Sequence, residues 1–208
     1  MMGWYDDHVV PRLIKCACSS PAIMTVRQQV VPLAGGAVFE LGCGGGINQQ
    51  FYDPAKVTSY AGMDPSAKGR DYAQAAAQEQ GRSADIRGGV GEALPYGDAS
   101  FDCVVCTFTL CSVHDPGQVL RELRRVLKPG GRLLYAEHGR APDPGVAIWQ
   151  DRIEPVWRRL AGGCHLTRPV SASIAQGPFA VNQLGAHYAP KTPRWAGWIE
   201  WGEALKAA

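Results

Sequence analysis

The sequence predicts an α/β protein with a doubly wound, mostly parallel sheet. Three observations support this fold class. Apolar, strand-like runs alternate with helical segments between residues 37 and 139, a glycine-rich turn directly follows the first run, and an acidic residue ends the second. Such alternation implies right-handed crossovers and a sheet that helices cover on both faces. Ligands bind such sheets at the carboxyl ends of the strands, so we expect the chemistry there.

The core elements follow in order from residue 37. Apolar, β-branched runs predict strands at residues 38–41, 58–63, 86–89, 101–108 and 132–137. After the first strand and its glycine turn, Asn48 is expected to begin a helix. An alanine-rich segment predicts a helix over 71–80. Asp115 opens another helix, whose apolar residues up to Leu127 recur at spacings of three and four before Pro129 and the following glycines stop it.

The pattern changes after residue 139. An aromatic-rich helix is predicted over 146–160, and Trp149 and Trp157, eight residues apart on one face, are expected to pack it against the sheet. Two strand-like runs, 179–188 and 198–201, are joined by a proline-containing turn. We interpret them as an antiparallel hairpin at the edge of the sheet.

Composition narrows the classes of partner. The formal net charge is only +2 and the 21 basic residues are scattered, which disfavours a nucleic-acid partner. The longest strongly apolar stretch, 103–111, is far shorter than the ~20 residues that span a bilayer, and the first residues lack a signal-peptide pattern. We therefore expect a cytoplasmic protein without a membrane span.

The seven cysteines are expected to be reduced, as is usual without an export signal. No metal site is expected, because Cys16 and Cys18 lack a partner pair at zinc spacing.

The glycine turn, Glu40-Leu41-Gly42-Cys43-Gly44-Gly45-Gly46, places glycines where a backbone must turn tightly and approach a ligand. A nicotinamide fingerprint would have its third glycine at position 47, which is isoleucine, so the spacing disfavours a dehydrogenase. Nicotinamide-dependent oxidoreduction stays an alternative. Asp64 ends the second strand at roughly the spacing from Glu40 at which an acidic side chain accepts hydrogen bonds from a ribose.

Four motifs, in order, resemble those of class I S-adenosylmethionine-dependent methyltransferases. They are the first motif at 40–44, the adenine-side loop at 91–95, the fourth strand at 101–106, and the helix and turn at 122–131. The resemblance covers essentially the whole chain. It implies a Rossmann-like, seven-stranded sheet, S-adenosyl-L-methionine as cofactor and S-adenosyl-L-homocysteine as product. It also implies one methyltransferase domain over 1–208, with a helical cap at 1–36, a cofactor-binding core at 37–139, and an acceptor-side helix and hairpin at 140–208.

Three segments, 105–113, 137–138 and 163–168, resemble a narrower branch that contains thiol S-methyltransferases and bacterial relatives. Broader relatives, including ubiquinone/menaquinone C-methyltransferases, methylate quinone precursors or phospholipids. The resemblance implies a small-molecule acceptor, with a thiol ahead of a quinone precursor or phospholipid amine. Unlike the animal branch, this chain is expected to have no N-terminal hydrophobic anchor, and it carries His165 where those proteins tend to have asparagine. A non-catalytic module that binds S-adenosylmethionine is the alternative of another class.

The same resemblance implies a set of cofactor contacts. Asp64 would bind the ribose hydroxyls, Cys106 would present its backbone carbonyl to the cofactor's amino group, and Tyr5 and Tyr52 would close over the sulfonium, whose charge an aromatic face stabilises. The other implied contacts are Gly42, Gly44 and Asn48 along the methionine part, Glu92 and Ala93 beside the adenine, and Glu40, Gly46, Pro65 and Thr107.

Methyl transfer is an in-line displacement, so the enzyme mainly aligns the acceptor, and a catalytic base is optional. His138, just beyond the fifth strand, is the leading acid/base candidate, followed by His165 and His114. Cysteines at 106, 111 and 164 suggest an arsenic-methylating enzyme, but buried thiols that pack as small hydrophobes are the simpler interpretation.

Overall fold

The computed structural model describes residues 18–177 and 179–206. Within these residues, seven strands form one sheet: β1 (Gly36–Leu41), β2 (Val57–Met63), β3 (Ala84–Arg87), β4 (Phe101–Thr107), β5 (Leu127–His138), β6 (Phe179–Tyr188) and β7 (Trp198–Lys206). The α-helices described are α1 (Pro21–Val30), α2 (Ala67–Glu79), α3 (Pro116–Val126), α4 (Pro144–Leu160), α5 (Val170–Gln176) and α6 (Arg194–Gly197). Short 3-10 helices cover Val31–Leu33 and Ile47–Phe51.

The sheet has the order β3-β2-β1-β4-β5-β7-β6. Strands β1 to β5 are parallel, and β7 pairs antiparallel with both β5 and β6. The doubly wound fold class and the C-terminal hairpin are therefore confirmed. Strand β1 has β2 as its neighbour on one side and β4 on the other. The loops that follow β1 and β4 therefore lead in opposite directions, and α/β proteins bind ligands at such a switch point.

Both faces of the sheet are apolar because helices cover both. In β4, Cys103 and Val105 pack on the side of α1, whereas Val104 and Cys106 pack on the side of α3 and α5. Successive side chains also point to opposite faces of the sheet in the last residues of β1, β4 and β5. The side chains at the carboxyl ends of these strands therefore reach the candidate site from both faces of the sheet.

Two predicted helix starts differ from the structure. The helix predicted from Asn48 is wrong: a five-residue 3-10 helix occupies this stretch, because Asn48 and Gln49 are buried beneath the turn and β2 begins soon afterwards. Helix α2 begins at Ala67 rather than at residue 71, because the Ser66 hydroxyl caps it by accepting a hydrogen bond from the Gly69 N–H. The predicted start of α3 is confirmed, with the Asp115 side chain as its cap.

Other boundaries also shift. Strand β3 lies two residues earlier than predicted, β5 begins five residues earlier, and β7 continues to Lys206 beside β5 and β6. Helices α5 and α6 were not predicted. On α4, the packing expected for Trp149 is wrong, since its side chain is 56% exposed. Trp157 instead meets Trp195 of α6 edge to face, with ring centroids 5.4 Å apart.

Among the described helices, none combines the length and apolarity needed to cross a membrane.

Candidate active site

A buried hydrogen-bond network supports the glycine turn from below. Glu40, at the end of β1, accepts hydrogen bonds from the hydroxyls of Tyr52 and Tyr60 at 2.8 and 2.7 Å and from the Asn48 amide at 2.8 Å. Burial raises the pKa of Glu40, and these three donors oppose the shift. Tyr52 is buried, so the expectation that it closes over a ligand is wrong. Glu40 and Asn48 hold the turn in place through their side chains.

Arg27 of α1 completes this network, and the sequence analysis did not identify it. Its guanidinium donates to Asn48 Oδ1 at 2.7 Å and to Thr107 Oγ1 at 2.6 Å, and it lies 5.0 Å from the centre of the Phe108 ring. Thr107 also accepts a hydrogen bond from Asn48 at 2.9 Å. The helical spacing of Arg27 with Ile23 is the signal that places it on the buried face of α1.

Three of the four glycines in the turn have a positive φ, and these three have different roles. A Cβ on Gly42 would lie 2.0 Å from Thr109 Oγ1, so Gly42 permits close contact with the loop after β4. A Cβ on Gly46 would lie 2.6 Å from Ala76 Cβ, so Gly46 permits packing against α2. Gly44 faces the Asp64 carboxylate across a more open gap of 3.5 Å. Gly44 therefore leaves open space beside Asp64, whereas Gly46 is buried against α2.

Asp64 is fixed at the carboxyl end of β2. Its Oδ2 accepts a hydrogen bond from the Gly44 N–H at 3.0 Å, and its Oδ1 accepts one from the Ser66 N–H at 2.9 Å. The carboxylate is half-buried, and burial raises its pKa. A carboxylate accepts about four hydrogen bonds. Two are made within the turn, so Asp64 is oriented and still has acceptor capacity for a ligand.

The loop after β3 uses Glu92 differently from the expectation. The Glu92 carboxylate accepts hydrogen bonds from the backbone N–H groups of His114 and Asp115 at 2.9 and 3.0 Å, which ties this loop to the start of α3. His114 is exposed and contributes its backbone here. Pro65, on the loop after β2, and Ala93, on the loop after β3, are both exposed.

Glu137, the penultimate residue of β5, organises the loop after β4 and was missed by the sequence analysis. Its buried carboxylate accepts hydrogen bonds from the backbone N–H groups of Thr109, Leu110 and Cys111 at 2.8, 2.9 and 3.1 Å. The Cys106 thiol also lies 3.7 Å from it. Burial raises the pKa of Glu137 to about 7, against the effect of the three donors. A single acidic residue within an otherwise apolar strand is the signal that identifies it.

The structure brings together Cys111, His138 and Cys164, which we call the thiol–imidazole cluster. The two sulfurs and a ring nitrogen all lie within 4.8 Å of one another. Both cysteines are buried and His138 is half-buried, with its ring 5.0 Å from that of Phe108, edge to face. Of these three residues, the sequence pattern indicates a chemical role only for His138, since buried cysteines have the pattern of packing residues.

The two thiols of the cluster differ in acidity. A hydrogen bond with Cys111 lowers the pKa of Cys164 to about 4; burial opposes this shift, and the His138 ring supports it. The same hydrogen bond and burial raise the pKa of Cys111 well above its ordinary value. Burial also raises the pKa of Cys18, which lies near Arg27 and within electrostatic range of Cys164.

His165 lies next to the cluster in sequence, but its side chain points to α4. Its Nδ1 lies 2.8 Å from Glu154 Oε1, and the other oxygen of Glu154 accepts a hydrogen bond from the Thr167 N–H at 2.8 Å. The backbone N–H of His165 donates to the Cys111 carbonyl at 2.8 Å. His165 therefore fastens the 161–168 loop in place. Tyr5 and Cys16, also considered from the sequence, lie outside the described residues.

Comparison with known proteins identifies the family. Residues 39–135 match the methyltransferase domain model. The chain carries a methyltransferase domain of this family. Thiol S-methyltransferase TMT1B of Rattus norvegicus is 41% identical over 152 residues, which cover 71% of this chain and 61% of the relative. Thiol S-methyltransferase TMT1A of Homo sapiens is 35% identical over 159 residues, covering 74% and 64%.

This methyltransferase-family chain spans about three fifths of the length of those curated relatives. Its fold is also that of YcgJ from Bacillus subtilis. The crystal structure of that protein matches with a TM-score of 0.66 at 18% identity, over 97% of this chain and 99% of the other.

The family implies S-adenosylmethionine as cofactor, and the residues present fit it. Gly44 presents backbone without a side chain beside Asp64, whose carboxylate keeps acceptor capacity for a pair of ribose hydroxyls. Gly42 and Thr109 then continue the same edge of the sheet toward the thiol–imidazole cluster. The residues that would hold the cofactor and those that face an acceptor therefore lie on adjoining loops.

Proposed function

We propose that this protein transfers a methyl group from S-adenosylmethionine to a small thiol. The observation that carries the proposal is that Cys111 of the thiol–imidazole cluster lies two residues after Thr109, on the loop that contacts the glycine turn at Gly42. Curated relatives that share 41% and 35% identity with this chain are named thiol S-methyltransferases.

Within this proposal, Asp64 accepts hydrogen bonds from the ribose, and the backbones of Gly42 and Gly44 lie along the methionine part. Cys106 offers its carbonyl to the cofactor's amino group. The more exposed contacts expected from the sequence, Pro65 and Ala93, lie on the loops after β2 and β3. Other expected residues act from beneath or behind the turn through the contacts described above, namely Glu40, Gly46, Asn48 and Thr107, while Glu92 braces the loop after β3.

When bound, the cofactor supplies an electrophilic methyl group on a sulfonium. The acceptor sulfur attacks that carbon in line, and the bond from the carbon to the cofactor's sulfur breaks. A thiol with a pKa of about 8.5 is partly ionised at neutral pH, so its proton is lost to solvent before attack. The chain's contribution is alignment and exclusion of water, which raise the effective concentration of the acceptor.

We propose His138 as the catalytic residue that contacts the acceptor sulfur. It ends β5 at the ligand-binding edge of the sheet, and its half-buried ring is held against Phe108. The other two candidates fit this role less well, because His114 is exposed and the His165 ring is paired with Glu154.

The test offers the full chain methyl-labelled S-adenosylmethionine together with matched acceptors: an alkanethiol, the corresponding alcohol and amine, a phenol and phospholipid vesicles. We expect the labelled thioether as the main product. Transfer to the phenol or phospholipid amine without transfer to the thiol would contradict the thiol acceptor. Cofactor binding without transfer to any acceptor would identify a non-catalytic binding module, and tight NADH binding in its place would identify an oxidoreductase.

A further inference from the structure

The thiol–imidazole cluster has the donor atoms and the spacing of a soft metal site. Two sulfurs and one ring nitrogen lie within 4.8 Å of one another. In a tetrahedral zinc site, bond lengths of about 2.3 Å to sulfur and 2.0 Å to nitrogen place the ligand atoms roughly 3.5 Å apart. Rotations of the three side chains that shift each ligand atom by about an ångström or less therefore suffice to surround one ion.

The three side chains come from separate segments, and each segment is held in place. Cys111 lies on the loop whose N–H groups bind Glu137, and His138 ends β5. Cys164 lies on the 161–168 loop, which is fixed to Cys111 by the His165 backbone and by a 2.7 Å hydrogen bond from Arg168 to the Leu110 carbonyl. Ligands on braced segments form a preorganised site, in contrast to three side chains that meet by chance on a mobile surface.

The donor set selects the class of cation. Two thiolates and an imidazole suit a zinc-class or other thiophilic ion, whereas magnesium and calcium prefer oxygen ligands. Two thiolates also neutralise a divalent charge, which removes the penalty for burying the ion. Three protein ligands leave a fourth position open, as in catalytic rather than structural zinc sites. His138 is only half-buried, so the site is not sealed from solvent on the side of this ring.

We propose that Cys111, His138 and Cys164 bind one zinc-class cation and leave its fourth coordination position open to the acceptor. This proposal departs from the expectation, drawn from the sequence, that the chain has no metal site. Binding displaces the thiol protons of the cluster to solvent.

A consequence for catalysis rests on the function proposed above. In the metal-loaded protein, the fourth position takes the sulfur of the acceptor thiol as a thiolate, and the thiol proton leaves to solvent. In this state the His138 ring nitrogen binds the cation, so its direct contact with the acceptor sulfur, proposed above, applies to the metal-free protein. A base dedicated to the acceptor is not needed, because coordination keeps its sulfur deprotonated.

The binding test uses equilibrium dialysis of the full chain against Zn²⁺, with metal content measured by mass spectrometry, and Co²⁺ titration followed by thiolate-to-metal absorption. We expect one ion per chain and at least a tenfold weaker affinity in Cys164→Ser and in His138→Gln. Cys103→Ser removes another buried thiol, on β4 outside the cluster, and should bind as the wild type does. Absence of stoichiometric Zn²⁺, or equal affinity in all variants, would overturn the site.

A second measurement keeps the proposal testable if a cysteine variant fails to fold. In the wild-type protein, Zn²⁺ should slow alkylation of Cys111 and Cys164 at least tenfold, and Mg²⁺ should not. Alkylation at the same rate with and without Zn²⁺ would overturn the site.

The metal site and the proposed function fail in distinguishable ways. Stoichiometric Zn²⁺ binding without methyl transfer to a thiol would contradict only the function. Equal thiol methylation by the metal-loaded and the chelator-stripped protein would contradict the catalytic consequence and leave the site intact.

Discussion

The two proposed halves of the candidate site, one for the cofactor and one for the acceptor, are built by different means. The cofactor half, residues 40–46 and Asp64, consists mainly of backbone shaped by glycines, and its carboxylate is oriented by neighbouring N–H groups. The acceptor half, residues 108–112, 137–138 and 161–168, consists of side chains from three distant segments. Local geometry therefore determines the first half, whereas tertiary packing determines the second.

The halves meet at one contact. The space above Gly42 is filled by the Thr109 side chain, and Thr109 lies on the loop that Glu137 organises. A change at this contact should affect both halves, while a change at Asp64 or at His138 should affect only one. This difference makes the comparison testable.

Gly42→Ala should have the largest effect. Its φ of +73° is strained for alanine, and the new Cβ would overlap Thr109; strain and overpacking of about 1–3 kcal/mol each should cost about 4 kcal/mol together. Cofactor binding measured by calorimetry should be lost, and the midpoint of thermal unfolding should fall.

Gly81→Ala is the matched control for this change. Gly81 also has a positive φ, but nothing lies within 4 Å of its Cβ position. It should lose stability through strain alone and keep its affinity for the cofactor. Equal losses in the two variants would show that contact with Thr109 is unimportant.

Glu137→Ala should rank second. It leaves three buried N–H groups without their acceptor, which should lower the free energy of unfolding by about 3 kcal/mol or more. Glu137→Gln keeps one acceptor oxygen and should lose less in chemical denaturation. If both variants unfold at the wild-type denaturant concentration, the carboxylate does not organise the loop.

Asp64→Ala should weaken cofactor binding by about 1–3 kcal/mol, because charge-assisted hydrogen bonds to the ribose are lost. The KM for the acceptor should change little, since Asp64 belongs to the cofactor half. Asp85→Ala, an exposed carboxylate on the neighbouring strand β3, serves as the control. An unchanged cofactor dissociation constant in Asp64→Ala would remove this residue from the ribose site.

His138→Ala should have the smallest effect on the cofactor half. Turnover with a thiol should fall roughly tenfold, or about 1.4 kcal/mol in the barrier, while the cofactor dissociation constant stays within about twofold. His114→Ala, which removes an exposed ring, should behave as the wild type in the same assay. Wild-type turnover in His138→Ala would exclude a catalytic role for this histidine.

The sequence predicted the positions of the glycine turn and of Asp64 well because their signals are local. Glycines at 42, 44 and 46 require positive φ values, and Asp64 directly follows a strand, so spacing along the chain was enough to place them on one edge. The helix predicted from Asn48 failed, because burial of its amide beneath Glu40 outweighed local propensity.

The acceptor half could not be predicted to the same degree. Cys111 and Cys164 are 53 positions apart by number, and only the packing of the 161–168 loop on the loop after β4 brings them together. Buried cysteines in apolar strands and loops have the same pattern as ordinary core residues. Glu137 carried a readable signal, since it is a charged residue in a predicted apolar strand, whereas no apolar face was predicted around Arg27.

The most direct test of the two-part site is a crystal structure of the full chain with S-adenosylhomocysteine. We predict that its ribose hydroxyls bind Asp64 and that its sulfur faces Cys111, His138 and Cys164. A ribose bound away from Asp64, or a sulfur turned away from these three residues, would contradict the account.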